Sequence, residues 1–500
     1  MCQLESMAKS SLSSPSIPAR RALPARIPAA AYLEVLWRYL TEAVCDEVFA
    51  AIRARDGSAE RQRKWTLYTL LKFWIVLLHD DADVSQTRAV ADCAADHPLY
   101  PTLTASAASF FQRIQTLRPA FFRAVFTHVT AQLRTECVPR WDAAGVTFCA
   151  DLPIPVTVFP DIYCVDASRT DKVAHRVGVL QRTTRAVLPG SIEAVYDLRR
   201  GVLRDLYFDP DGCRGERRLF EEVLADLPPG ALLVGDRYYG SPCMLDAATM
   251  CDQALVARHV RTATQHKVQC LRKVRTATLT VDDWLVNAGG TAHDTVPLTI
   301  RYVRITTVYK GSVRTLTFVT NVLDPTRLPA EHLAALYGLR WTIERMFLTL
   351  KATLHLNRLF NSTPAAVGQQ VYATALLYNA LRLAQLDIAH RLGLPPDQLS
   401  PEKLFPLVME RLERRTWIEL GALWHAERLQ AAYPDMALPP VDPGALATAL
   451  AEHPTLMLPV HALLLERRTT TRKKRRYCAG RGKAATSFAH LHGGKRYLEN

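Results

Sequence analysis

Through the first third of the chain, apolar residues recur three and four positions apart, the spacing that gives a helix one buried face. The pattern holds in YLEVLWRYLTEAVCDEVFAAIRA from Tyr32, in WTLYTLLKFWIVLL from Trp65 and in AASFFQRIQTLRPAFFRAVFTHVTAQL from Ala107. It predicts helices from Ala31 to about Arg134. Near Pro155 the texture changes to short runs bounded by turn residues. DIYCVDAS reads as a strand ending at Asp166, and SIEAVYDL and VLRDLYFDP flank RRG as a hairpin. RGERRLFEEVLADL is an amphipathic helix, GALLVGDRYYG a buried strand ending in Asp236, SPCMLDAATMCDQ a helix and ALVARHV a strand. That order predicts an α/β domain with a mixed sheet. Residues 260–320 then carry TATLTVDDWLV, TVPLTIRYVRI and RTLTFVTNVL, a β-rich insertion without a helix. After Leu359 the pattern is helical to about Glu466, punctuated by Pro395, Pro396, Pro439 and Pro440.

Between insertion and C-terminal helices lies YGLRWTIERMFLTLK, from Tyr337 to Lys351. Read as one helix, it brings Tyr337, Arg340, Glu344 and Lys351 within roughly a 60° arc. Leu336, Leu339, Ile343, Phe347 and Leu350 form the adjoining apolar stripe. A solvated face with an i,i+4 pair of Arg340 and Glu344 explains this strip as readily as a site does. Gly338, costly inside a helix, suggests close approach of a backbone or ligand. A lone carboxylate between two cations suits a metal ligand beside phosphate-holding cations better than a general acid.

Composition narrows the classes. The chain has 500 residues, a net charge of +14 and a pI near 9.3. Residues 466–500 hold 11 Lys and Arg against Glu466 and Glu499, so +9 of the charge sits there and +5 on the rest. Such a balance favours polyanions, nucleic acid first. The 11 cysteines are scattered without a CxxC pair, which argues for reduced thiols in a cytoplasmic setting. The longest apolar run is too short to span a membrane and contains Lys72, so no membrane partner is expected. GRGKAATS lacks the spacing of a phosphate-binding loop, and no nucleotide cofactor is expected.

Asp166 and Asp236 each follow an apolar strand, where α/β sheets place ligands. With Glu344 they would supply three hard oxygen ligands, a set suited to Mg²⁺ or Mn²⁺. Two such ions about 3.5–4 Å apart assist phosphoryl transfer. The residues alone leave the choice open, since Asp161, Asp171, Asp197, Asp205 and Asp211 are also available. Arg61, Arg63 and Lys64 precede the second helix and could meet phosphates or simply be solvated.

Tyr337-x2-Arg340-x3-Glu344-x6-Lys351 matches without a gap the signature of a group of bacterial insertion-sequence DDE transposases. VDASRTDK around Asp166 and GDRYYGS around Asp236 resemble that group's two aspartate motifs; Trp341 also fits. Ala167 stands where a small residue such as Gly often follows the aspartate. The resemblance spans roughly residues 35–385. It implies an RNase H-like catalytic core (155–260 and 320–360) with the β-rich insertion 260–320. Flanking this would be a disordered lead (1–30), a helical DNA-binding domain (31–150), a C-terminal helical region (361–465) and a basic tail (466–500). It further implies cut-and-paste transposition, with Asp166, Asp236 and Glu344 holding two Mg²⁺ or Mn²⁺ ions. Tyr337, Arg340 and Lys351 would grip phosphates, and Trp284 would stack on a flipped base. The implied partners are double-stranded DNA and a second copy of the chain in the DNA complex. A transposase-derived binder without catalysis and another RNase H-type metal nuclease are the rival readings.

Overall fold

The computed structural model describes residues 23–28, 32–57, 62–79, 85–95, 100–143, 148, 152–169, 191–210, 216–260, 265–277, 279–289, 298–309, 312–356, 358–434, 436, 441–451 and 453–465. Arg61, the basic tail from 466 and most of the expected lead lie outside these residues. Strand β1 (Arg26–Pro28) falls inside that lead; antiparallel pairing with Met457–Pro459 gives its backbone the partners a lead would lack. Helices then follow: α1 (Tyr32–Tyr39), α2 (Glu42–Asp56), α3 (Leu67–His79), α4 (Gln86–Ala94), α5 (Ala107–Thr116), α6 (Pro119–Gln132) and α7 (Val138–Ala143). Their starts are legible locally. The Thr41 hydroxyl caps α2 by accepting from the Val44 amide at 3.2 Å, and Pro119 opens α6 where no amide donor is needed.

Strands β2 (Ile162–Arg169), β3 (Ser191–Asp197) and β4 (Val202–Asp209) lead to α8 (Glu216–Asp226), β5 (Leu232–Val234), α9 (Pro242–Met250) and β6 (Ala254–Arg258). Then come β7 (Gln265–Arg275), β8 (Leu279–Ala288), β9 (Leu298–Tyr309) and β10 (Ser312–Thr320). All nine lie in one mixed sheet of order β4-β3-β2-β5-β6-β10-β9-β8-β7. The β-rich segment is therefore a lateral extension of the sheet, joined where β10 pairs antiparallel with β6, Val319 opposite Ala257. β2 also differs from expectation: it continues through Asp166 to Arg169, because its antiparallel pairing with β3 runs on to Arg169 opposite Ser191.

Beyond the sheet lie α10 (Ala330–Leu339), α11 (Trp341–Leu348), a π-helical turn (Thr349–Thr353), α12 (Pro364–Leu392), α13 (Pro401–Ala432), α14 (Pro443–Ala451), β11 (Met457–Pro459) and α15 (Val460–Leu463). The single helix expected from Tyr337 to Lys351 is thus divided at Arg340 and wound wider at its end. Gly338 marks no close approach, for the space a Cβ would fill there is open. No helix among the described residues is long and apolar enough to cross a membrane.

Burial explains the layering. One sheet face carries Ile162, Cys164, Ile192 and Ala194 into a core shared with Trp74, Phe121, Phe126 and α12. The other carries Tyr163, Val165 and Val195 against Phe220, Leu245 and their neighbours on α8 and α9. α12 is buried almost all round, as a central helix must be, and packs on α1, α3, α6 and β4. Its buried polar groups are satisfied by the elements it joins. Gln369 donates to the carbonyls of Ile114 and Leu117 at 3.0 and 2.7 Å, and Asn379 exchanges two bonds with the backbone of Leu203 at 2.9 and 2.8 Å. Helices before the sheet and after it therefore share one core with it.

Candidate active site

β2 and β5 are parallel, with Ile162 beside Leu232 and Cys164 beside Val234. Asp236 follows Val234 by two residues, as Asp166 follows Cys164. Asp166 lies within β2, just past the part that pairs with β5, and Asp236 two residues beyond the end of β5. Asp166 shares the parity of Ile162 and Cys164, so its side chain leaves the sheet on the face that α11 covers.

The turn after β5 is built from its glycines. A Cβ on Gly235 would fall 2.7 Å from the ring of Tyr239, and one on Gly240 would fall 2.1 Å from the carbonyl oxygen of Arg258. With both glycines the chain folds tightly, Tyr239 lies back on the strand and its hydroxyl donates to Glu193 at 3.1 Å. Asp236 is oriented by its own turn, accepting from the Tyr238 amide at 2.6 Å.

Glu344 arrives from α11, whose Ile343, Met346 and Phe347 are buried. Arg340 lies between the carboxylates. One of its terminal nitrogens is 3.5 Å from Oδ2 of Asp166 and the other donates to Oε1 of Glu344. Burial would lower the Arg340 pKa, yet Tyr337, Glu344 and Asp166 together hold it above the usual range. Its Nε is buried without a hydrogen-bond partner. Burial first, then the charges of Asp236 and Glu344, push the Asp166 carboxyl up to about 7 against the pull of Arg340. Asp166 and Glu344 thus meet one guanidinium.

Among the described residues, no three His, Cys, Asp or Glu side chains are close enough to hold a metal ion. The cation that Asp166 and Glu344 meet is the Arg340 guanidinium. The donors are hard carboxylate oxygens, the chemistry Mg²⁺ or Mn²⁺ takes, so the residues fit such ions once Arg340 withdraws.

The other expected groups divide. The Tyr337 ring packs on Phe318, with ring centroids 5.4 Å apart, and lies under the Arg340 guanidinium. Lys351, on the π-helical turn, donates to the Ser168 hydroxyl. Trp284 is not brought to the carboxylates. It sits on β8, five strand steps from β2, on the order of 24 Å along the sheet, and packs with the cluster on the opposite face. Arg63 and Lys64 are exposed ahead of α3, where Lys64 donates to the Thr104 carbonyl at 2.9 Å. Sequence reasoning passed over Ser168, although a position two beyond Asp166 on a strand must share its face.

Residues 182–380 match a family model described as a transposase DDE domain. That span includes Asp236, Tyr337, Arg340, Glu344 and Lys351 and begins after Asp166. The chain is similar to the transposase InsG for insertion sequence element IS4 of Escherichia coli K12, 32% identical over 111 residues, 22% of this chain and 25% of the relative. It is also similar to the putative transposase y4zB of Sinorhizobium fredii, 33% identical over 104 residues, 21% of this chain and 28% of the relative. The alignments thus cover about a quarter of the length of the curated relatives.

Proposed function

We propose that the chain is a DNA transposase of the DDE type with an RNase H-like core, moving an insertion sequence by cut-and-paste phosphoryl transfer. The observation that carries this reading is the Arg340 guanidinium joining Asp166 of β2 to Glu344 of α11, beside the parallel strand β5 that leads to Asp236. The family match over residues 182–380 supports it.

Asp166, Asp236 and Glu344 would hold two Mg²⁺ or Mn²⁺ ions. When bound, these would supply the positive charge that favours ionisation of the attacking oxygen and eases departure of the leaving oxygen. Arg340 then turns its fork from the acids to a DNA phosphate, which it suits by planarity and permanent charge. Lys351, oriented by Ser168, and Tyr337 hold the flanking backbone. Water would cleave the phosphodiester at the element's end and release a 3′-hydroxyl; that hydroxyl would attack the opposite strand's phosphodiester, displacing the flanking 3′-oxygen and closing a hairpin, and after water reopens the hairpin the same hydroxyl would attack target DNA, displacing a target 3′-oxygen. Double-stranded DNA is the partner, and a second copy of the chain completes the DNA complex.

Incubation with Mg²⁺ and duplex carrying the ends of the encoding element tests this. Cuts at the end that leave free 3′-hydroxyls, lost in Glu344→Gln while DNA binding persists, are expected. Structure-specific cuts elsewhere would favour another nuclease of this fold, and binding without cuts a non-catalytic descendant.

A further inference from the structure

On the sheet face opposite the carboxylates, β7, β8 and β9 bring together a set of cations that the cleavage chemistry does not use. Trp284 lies directly across from Tyr302, and Asp282 between Lys273 and Arg304. The ammonium groups of Lys267 and Lys273 both sit over the Trp284 ring, 4.7 and 4.9 Å from its centre. Arg304 is held by the Tyr302 hydroxyl at 2.9 Å, and Arg275 by Asp282 at 2.6 Å. These groups line a cavity of about 370 Å³ with four cations and one carboxylate, a local charge of +3. Among the described residues, no carboxylate makes an ion pair with Lys267, Lys273 or Arg304.

Gathering like charges this closely costs free energy unless an anion answers them. β7 is the outermost strand, where lysines commonly guard against edge-to-edge pairing. That role needs charge along the edge, whereas these two ammonium groups are folded over one indole on the sheet's face. His259 stacks edge-on against Tyr302 at 5.3 Å, and burial, then Arg304 and Arg237, hold its imidazole below the usual range. Arg237 directly follows Asp236.

We propose that this cavity is a second DNA-binding site, one that takes the phosphodiester backbone of a strand passing beyond the cleavage point. Trp284 is its floor and holds the two lysines by cation–π attraction. Its ring is covered by them, so it serves the phosphate grip instead of receiving a base. This rests on the DNA transposase reading and adds a grip on DNA outside the three carboxylates and their flanking cations.

The test measures the salt dependence of binding to a 40-base-pair duplex and to a 40-nucleotide single strand of the same sequence. Each phosphate left without its lysine makes the slope of log K against log salt shallower, by about 0.9 for duplex and about 0.7 for single strand. Lys267→Ala with Lys273→Ala should therefore lower the slope by about 1.8 or about 1.4, and the strand type that shows the loss identifies the source of the backbone. Lys267→Arg with Lys273→Arg should keep it, and Arg414→Ala, on α13 and paired with Glu410, should not change it. A wild-type slope in the double alanine variant with both DNAs would overturn the second site and leave the transposase reading standing. Absence of salt-dependent binding by the wild-type chain would overturn both. Lys273→Gln alone, read the same way, serves if the double variant does not fold.

Discussion

The guanidinium of Arg340 bridges two acids from separate elements, lying 3.5 Å from Asp166 on β2 while donating to Glu344 one turn along its own chain. The same side chain is the counter-ion of both carboxylates and, under the proposed function, would also be the ligand of a DNA phosphate. Divalent binding and DNA binding should then reinforce each other, since each draws Arg340 the same way. An opposite charge at this range is worth several kcal/mol near a protein surface. Arg340→Ala is expected to bind Mn²⁺ at least about tenfold more tightly than wild type when no DNA is present, read by calorimetry or by the Mn²⁺ resonance signal. Its cleavage should nevertheless fall on the order of 100-fold, because the phosphate loses its fork. Unchanged Mn²⁺ affinity would show that Arg340 does not compete with the ion.

Asp166 gives a pH dependence of definite sign. Its carboxyl is pushed up to about 7, chiefly by burial and then by its acidic neighbours. An unfolded aspartate titrates near 4. Between about pH 4 and 7 the folded chain holds a proton that the unfolded chain has released, so stability from this group falls as pH rises through that window. Urea midpoints taken without divalent ions should show wild type losing stability relative to Asp166→Asn from pH 5 to pH 8. Wild type gaining on the variant as pH rises would contradict the assignment. With Mn²⁺ present, binding below about pH 7 must displace that proton, so affinity should weaken as pH falls there.

Ser168 and Lys351 meet across β2 and the π-helical turn, far apart in sequence. A lysine ammonium is a point charge on a flexible stem, and a hydroxyl fixed on a strand narrows where it points. Ser168→Ala should reduce single-turnover cleavage about fivefold, the equivalent of one ordinary hydrogen bond, with no change in thermal unfolding. Ser168→Thr should retain activity. In a Lys351→Ala background the Ser168→Ala change should cost almost nothing further; an undiminished cost would mean the two act independently.

Much of this arrangement was legible in the residues, for identifiable reasons. The hairpin of β3 and β4, the helices α8 and α9 and the strands β5 and β6 carry their own period and turn chemistry, so local reading suffices. Lateral joining of β10 to β6 was not legible, because pairing register between distant strands is decided by the whole sheet. The break at Arg340 was not legible either. Arg340 and Glu344 keep the i,i+4 pair that a regular helix gives them, although the helix is divided at Arg340. Spacing identified Tyr337, Arg340, Glu344 and Lys351 as a group. It did not show that the arginine would lie among the acids, which depends on the neighbouring strand supplying Asp166.

The lateral extension of the sheet depends on a buried ion pair that locks β8 to β9. Arg301 meets Asp283 through two nitrogens, at 2.9 and 2.6 Å, and its third reaches the Leu328 carbonyl at 2.5 Å. Both side chains are essentially sealed, at 0% and 1% exposure, so neither charge has solvent to fall back on. Removing one partner strands the other, which costs about 3–5 kcal/mol in such settings. Asp283→Leu alone should therefore lower the urea midpoint sharply. Adding Arg301→Met should recover most of that loss, because an apolar pair of similar volume needs no counter-charge. The recovery will stay incomplete, since Leu328, in the segment leading to α10, keeps a buried carbonyl without its donor. If the double variant is as unstable as the single one, the pair's geometry and not its charge holds β8 and β9 together.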